Sequence, residues 1–164
     1  MNVISRDSAL WAYIPSEIKK LIIDGEIILT FVYENKPKSY ISDYSFLVFS
    51  FAKAYEGYLK FYFMDLNVIS EEDYYSNTIR IGRILNPHFL ESKENIFRKL
   101  EAHKQIKKKV PAQLWKAWKQ GRNLVFHYFP QNYRRLSYNE ALDIINIIID
   151  AMYASISLLK ETHK

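Results

Sequence analysis

Apolar side chains recur every three or four residues along most of this chain, and this spacing limits its fold more than any other feature. It is clearest in residues 39–66, whose spaced apolar side chains are Tyr44, Val48, Phe51, Ala52, Tyr55, Leu59 and Tyr62. An α-helix turns once every 3.6 residues, so this spacing forms one apolar stripe along a helix. The sequence therefore predicts a helix that buries this stripe.

Five further blocks show related spacing, and prolines or capping residues separate them. The expected helices cover residues 6–33, 39–66, 70–86, 91–106, 111–128 and 137–160. The chain has only 4 Gly and 5 Pro, fewer than a turn-rich sheet protein usually contains. We therefore predict an all-α fold, an antiparallel bundle of five or six helices with short connections in a single domain over residues 1–164. Residues 26–33 fit either a helix or a strand, and the helix is favoured.

Three blocks begin with residues that favour helix starts. Ser70 is a suitable N-cap, and the acidic residues 71–73 that follow it complement the helix dipole. Pro111 suits a first turn, where its missing N–H is not needed. Ser137 and Glu140 match the capping-box pattern.

Charge and composition narrow the class of protein. The net charge is +5 and the pI about 9.2, which suits a polyanionic partner, although a solvated basic surface explains it equally well. The chain has no cysteine, so disulfide scaffolds and thiolate chemistry are excluded. The most apolar stretch, 141–159, carries Asp143, Asn146 and Asp150 at helical spacing, so we expect an amphipathic helix and no membrane span. With no signal-peptide pattern at the N-terminus, we expect a cytoplasmic protein.

The stretch GRNLVFHYFP, residues 121–130, places polar side chains in an apolar setting. Asn123 and His127 are four residues apart and share a face of the predicted helix. Arg122 and His127 are roughly 140° apart around its axis, so two copies of the helix across a two-fold axis would be needed to bring both to one group. The structural alternative is an interface histidine and an Arg122 that pairs with Glu56.

The side chains of an arginine, an asparagine and a histidine can together catalyse the cleavage of a phosphodiester. A histidine titrates near neutral pH and transfers protons, and His127 falls in the last predicted turn, where the helix dipole favours its protonated form. Arg122 can clamp a phosphate through its guanidinium fork, and Asn123 can orient the imidazole. In such a site a 2′-OH attacks the adjacent phosphorus, cationic groups stabilise the developing charge, and an acid protonates the leaving 5′ oxygen.

The segment RNLVFH resembles the Arg-x4-His motif of the HEPN superfamily, including the polar residue after the arginine. The flanking stretches SFAKAYEGYLKFYF (50–63) and IRIGRILNP (79–87) are similar to HEPN toxins of the RNase LS type, and the resemblance extends over most of the chain from about residue 40. It implies a small all-α bundle that dimerises and cleaves RNA without a metal, leaving a 2′,3′-cyclic phosphate and a 5′-OH. Arg122 and His127 would be the catalytic pair, with Asn123 beside them.

The resemblance also implies supporting residues and partners. Glu56 would be the family's acidic residue on an earlier helix, although Lys60, one turn later, could simply pair with it. A toxin or defence role would add an antitoxin as partner. The alternative function is a non-catalytic HEPN-like module that pairs with a nucleotidyltransferase-fold protein or binds a nucleotide.

Basic and aromatic residues flank the motif and could bind the RNA. They are Lys107, Lys108, Lys109, Tyr128, Tyr133 and Arg134. Lysines would contact the phosphates and tyrosines would stack on bases, whereas the alternative for the lysine run is an ordinary solvated face. The sequence contains no recognisable metal motif, phosphate loop or Ser-His-Asp arrangement, so we predict no metal and no cofactor.

Overall fold

The computed structural model describes residues 2–35, 41–89 and 95–156, and these residues form helices, turns and loops without any strand. The helices α1 to α8 are Ala9–Tyr13, Ser16–Asn35, Phe49–Asp65, Glu71–Tyr75, Ile81–Ile84, Ile96–Ala102, Val110–Trp118 and Tyr138–Ile156. The all-α prediction is confirmed, and residues 26–33 are helical within α2. The predicted helical residues 39–40, 91–94 and 157–160 lie outside the described residues.

The described part of the chain has eight α-helices where five or six were predicted, because two blocks are each split. In the first block, Ile14 is extended (φ −67°, ψ 133°) ahead of Pro15, which separates α1 from α2. In the third block, Ser70 forms the predicted N-cap with a full capping box. Ser76 is extended and its hydroxyl accepts a hydrogen bond from the Thr78 backbone N–H at 3.0 Å, which ends α4 after one turn.

Helix α3 is the central element, and three buried tyrosines hold it to its neighbours. Tyr55, Tyr58 and Tyr62 stack along α3 with ring centroids 6.4 and 5.8 Å apart. The Tyr55 hydroxyl donates to the Leu114 carbonyl in α7 at 2.9 Å, and the Tyr62 hydroxyl donates to the Ser155 carbonyl in α8 at 3.1 Å. Burial raises the pKa of all three phenols, so they stay neutral donors.

Helices α2 and α3 are antiparallel, as predicted. Ile18 near the start of α2 packs beside Gly57, whereas Gly25, seven residues later, packs against Phe51 earlier in α3. The residue numbers rise in one helix as they fall in the other, which defines opposite directions.

Helices α3 and α8, in contrast, run parallel. Tyr44, just before α3, packs edge-on against Tyr138 at the start of α8, with ring centroids 5.7 Å apart. The hydroxyl of Tyr58, further along α3, lies 2.5 Å from the hydroxyl of Ser155 near the end of α8. The antiparallel prediction is therefore wrong for this pair, because α8 starts beside the segment that leads into α3.

The fifth block ends earlier than predicted. Pro111 lies in the first turn of α7 as expected, but α7 stops at Trp118 and gives way to a π-helical turn, Lys119–Asn123. The Leu124 amide donates to the Lys119 carbonyl at 2.9 Å, five residues back. Residues 124–129 are irregular, so the predicted helix to Tyr128 is wrong and His127 does not lie in a helical last turn.

Candidate functional site

The structure brings Asn123 and His127 together, although not through a continuous helix. Asn123 is the last residue of the π turn, and His127 follows in a bend. The Nε2 atom of His127 lies 3.2 Å from Oδ1 of Asn123. An amide oxygen only accepts hydrogen bonds, so this contact favours the imidazole tautomer that carries its proton on Nε2. Both residues are exposed.

Arg122 is oriented by Glu56, the acidic residue that the sequence singled out on α3. Arg122 Nε donates to Glu56 Oε2 at 3.4 Å, and the two side chains are 43% and 34% exposed. The guanidinium carbon also lies 5.7 Å from the Trp118 ring centroid, within range of a cation–π contact. A pair this exposed adds little stability, but it restrains the guanidinium through its Nε atom.

Lys60, predicted beside Glu56, makes a different contact. Its Nζ donates to the carbonyl of Ser76 at 3.4 Å. Among the described residues the only ion pair of Glu56 is the one with Arg122. The alternative of a Glu56–Lys60 pair is therefore wrong, and Lys60 instead fastens α3 to the end of α4.

An aromatic contact that the sequence did not indicate supports the loop carrying His127. Phe126 packs edge-on against Phe49 at the start of α3, with ring centroids 5.8 Å apart. The two rings remain 38% and 56% exposed. Phe49 and Glu56 are seven residues apart on α3 and therefore share a face, so the contacts of Phe126 and Arg122 fall on the same side of this helix.

A second loop, residues 130–136, is fixed by Asp43, which sequence reasoning also missed. Asp43 accepts hydrogen bonds from the Ser45 amide (2.9 Å) and hydroxyl (2.6 Å), from the Asn132 side chain (2.9 Å) and from the Leu136 amide (3.1 Å). Burial alone would raise the pKa of Asp43, but these hydrogen bonds lower it to about 2. They hold Gln131 and Asn132 in the left-handed region, with φ of 59° and 49°.

This second loop and the two residues before it, Tyr128 and Phe129, display aromatic rings and arginines. Phe129 and Tyr133 pack with centroids 5.3 Å apart, and the Arg134 guanidinium lies 4.6 Å from the Phe129 ring. Tyr128 and Tyr133 are 78% and 65% exposed. A cleft of about 280 Å³ opens beside them, lined partly by Tyr133, Arg134 and Arg135. Tyr128, Tyr133 and Arg134 therefore lie on exposed surface close to His127 along the chain.

The three predicted lysines are exposed, but they lie away from the site. Lys107, Lys108 and Lys109 precede α7, and Arg122 follows it. Thirteen residues of helix separate Lys109 from Arg122, which corresponds to roughly 20 Å. The lysines could contact a long strand but not the group held by Arg122.

Across residues 2–35, 41–89 and 95–156, no three His, Asp or Glu side chains cluster closely enough to hold a metal ion. None of the helices in this described part is long and apolar enough to cross a membrane.

Comparisons of the chain with models of known protein families, with curated proteins and with solved structures find no match. The site consists of a guanidinium, an amide and an imidazole within six residues of the chain. Arg122 is tied to α3 through Glu56, and the loop that carries His127 packs on α3 through Phe126.

Proposed function

We propose that this chain is an endoribonuclease of the HEPN kind, a cytoplasmic toxin or defence effector that acts as a homodimer. The observation that carries the proposal is the exposed set of Arg122, Asn123 and His127, in which Asn123 orients the imidazole and Glu56 orients the guanidinium. The all-helical bundle is compatible with that class.

His127 is the proton-transfer group. With Nε2 bonded to Asn123, the neutral imidazole presents Nδ1 as an acceptor. Nδ1 takes the proton of a ribose 2′-OH, and the 2′ oxygen forms a bond to the adjacent phosphorus. Proton transfer of this kind contributes about 10²–10⁴-fold to a rate.

Arg122 stabilises the phosphate as charge develops. Its Nε is occupied by Glu56, and its two terminal nitrogens form a fork that suits two phosphate oxygens. The Glu56 contact acts before the substrate arrives, because it fixes the direction of that fork in advance.

A second copy completes the reaction. Cleavage needs a base at the 2′-OH and an acid at the leaving 5′ oxygen, and one imidazole cannot serve both positions at once. In a two-fold dimer, the second His127 in its protonated form donates that proton as the bond from phosphorus to the 5′ oxygen breaks. The products are a 2′,3′-cyclic phosphate and a 5′-OH. The exposed rings of Phe49, Phe126 and Tyr128 provide apolar surface around the site for such a contact.

The test is cleavage of a mixed RNA pool in excess EDTA by the wild type, Arg122→Ala and His127→Ala. We expect cleavage by the wild type only, with cyclic phosphate ends. The matched controls are Arg98→Ala and His88→Ala, which remove exposed residues of the same types outside the site. Equal cleavage by all five proteins, or wild-type activity that disappears with EDTA alone, would refute the proposal.

A second function is favoured by the cleft beside Tyr133. A non-catalytic module would use this cleft, with Arg134 and Arg135 at its edge, to bind a nucleotide, or would pair through the same surface with a nucleotidyltransferase-fold protein. It predicts binding that His127→Ala leaves intact and no RNA cleavage. Isothermal titration with a nucleoside triphosphate, beside the cleavage assay, separates the two functions.

A further inference from the structure

Helix α2 exposes an apolar stripe. Ile23, Ile27 and Phe31 follow one another at four-residue spacing and are 38%, 62% and 65% exposed. The opposite side of α2 is buried in the core, through residues that include Ile18, Ile22 and Leu29. Large apolar side chains exposed in a row on a well-formed helix are typical of a contact surface.

The stripe ends in opposite charges, placed symmetrically. Lys20 lies seven residues before Ile27, and Glu34 lies seven residues after it. Seven residues make nearly two helical turns, so both charges fall on the same face as Ile27. Both are exposed. Along this face of α2, a cation is therefore followed by three apolar side chains and then by an anion.

We propose that α2 pairs in antiparallel fashion with α2 of a second copy, about a two-fold axis at Ile27. In this arrangement Lys20 faces the partner's Glu34 at one end, and Glu34 faces the partner's Lys20 at the other. Ile23 faces the partner's Phe31, so a smaller side chain meets a larger one. A parallel pair would instead place like charges together at both ends, which selects the antiparallel arrangement.

The contacts that Lys20 and the stripe already make do not oppose this pairing. Lys20 forms an ion pair with Glu17 at 2.9 Å, but both side chains are more than two-thirds exposed, so exchanging that partner costs little. A cleft of about 430 Å³ runs beside Ile23, bordered by Arg6 and Thr30, and provides room for the partner's Phe31.

This surface is separate from the candidate active site. The stripe lies on the exposed side of α2, whereas the buried residues Ile18 and Gly25 pack on α3. Arg122 contacts α3 itself, at Glu56. A chain that uses both two-fold contacts assembles into a tetramer with two kinds of interface. The α2 pairing goes beyond the proposed nuclease and does not depend on it.

The test reverses the charges at Lys20 and Glu34 and measures the native mass of each variant. The mass is measured by light scattering or sedimentation over about a hundredfold range of protein concentration. Lys20→Glu and Glu34→Lys each place two pairs of like charges at the interface, and we expect each to weaken association about tenfold at low salt. The double variant Lys20→Glu/Glu34→Lys recreates both attractive pairs and restores association. Ile27→Asp halves the native mass.

Three results would overturn the α2 pairing. They are a wild-type mass that Ile27→Asp leaves unchanged, single charge reversals without effect, and a double variant no stronger than the single ones. Circular dichroism confirms folding, which all these exposed substitutions are expected to preserve. RNA cleavage is not the readout, so failure of the nuclease proposal leaves this test intact.

Discussion

Gly121 should be the most sensitive single position in the π turn. A Cβ placed on residue 121 would lie 2.6 Å from Cδ1 and 2.7 Å from Cγ1 of Ile148. Ile148 is only 1% exposed, so it has little room to move away. Overpacking of this kind costs about 1–3 kcal/mol, while alanine returns about 0.5–1 kcal/mol in a helical conformation. We expect Gly121→Ala to lower the free energy of unfolding by about 1–2 kcal/mol.

The assay is thermal and urea unfolding followed by circular dichroism. For a chain of 164 residues, the expected loss lowers Tm by about 2–8 °C. Gly57→Ala is the matched control, because a Cβ at residue 57 would lie 3.4 Å from Ile18, close to ordinary contact. This control should be neutral or stabilising by about 0.5–1 kcal/mol.

A double-mutant cycle with Ile148→Ala tests the cause. That substitution removes both atoms that the new Cβ would meet, although it costs about 2–5 kcal/mol by itself. In its background, Gly121→Ala should cost nothing or stabilise slightly. If Gly121→Ala leaves the wild type as stable as before, or destabilises both backgrounds equally, the close approach of the π turn to α8 does not explain why residue 121 is glycine.

Three other expectations concern the site. The pKa of Asp43 is lowered in the folded chain, so its carboxylate adds about 1–2 kcal/mol to the free energy of unfolding. This contribution is present above pH 4 and is lost as pH falls towards 2. Asp43→Asn should remove that part of the acid dependence in urea unfolding at a series of pH values. Glu56→Gln should change the free energy of unfolding by less than about 1 kcal/mol, but it should lower the rate of RNA cleavage by more than this loss of stability explains. Cleavage at the wild-type rate would argue against an orienting role for Glu56. Excess His127→Ala protein should inhibit the wild type when subunits exchange, because a mixed dimer holds only one of the two His127 imidazoles. If the activity per wild-type chain stays unchanged, the site is not shared between two chains.

Sequence reasoning succeeded where local chemistry decides the structure. The capping box at Ser70, the reciprocal Ser137–Glu140 bonds at the start of α8, and Pro111 in the first turn of α7 all occur as predicted. Each rests on side chains within four residues of one another, so no knowledge of the fold was required.

It failed where a distant residue decides the structure. The helical spacing through residue 128 continues past the π turn, but the turn forms where Gly121 meets Ile148, 27 residues away in sequence. Asp43 accepts hydrogen bonds from Asn132 and Leu136, which are 89 and 93 residues away in sequence, and no local pattern predicts such a contact. The pairing of Glu56 with Arg122 was found only as an alternative, because spacing cannot bring two separate helices together.

The early end of α7 changes where His127 can lie relative to Arg122. Separation by roughly 140° on a straight helix suggested that Arg122 and His127 could not act on one group. Since His127 lies in an irregular loop, that angle no longer applies, and the loop could turn both groups to one side. A dimer is still expected, because cleavage by 2′-OH attack needs a base and an acid together and each chain supplies one His127. Inhibition of the wild type by His127→Ala protein addresses that requirement directly, whatever the geometry within one chain.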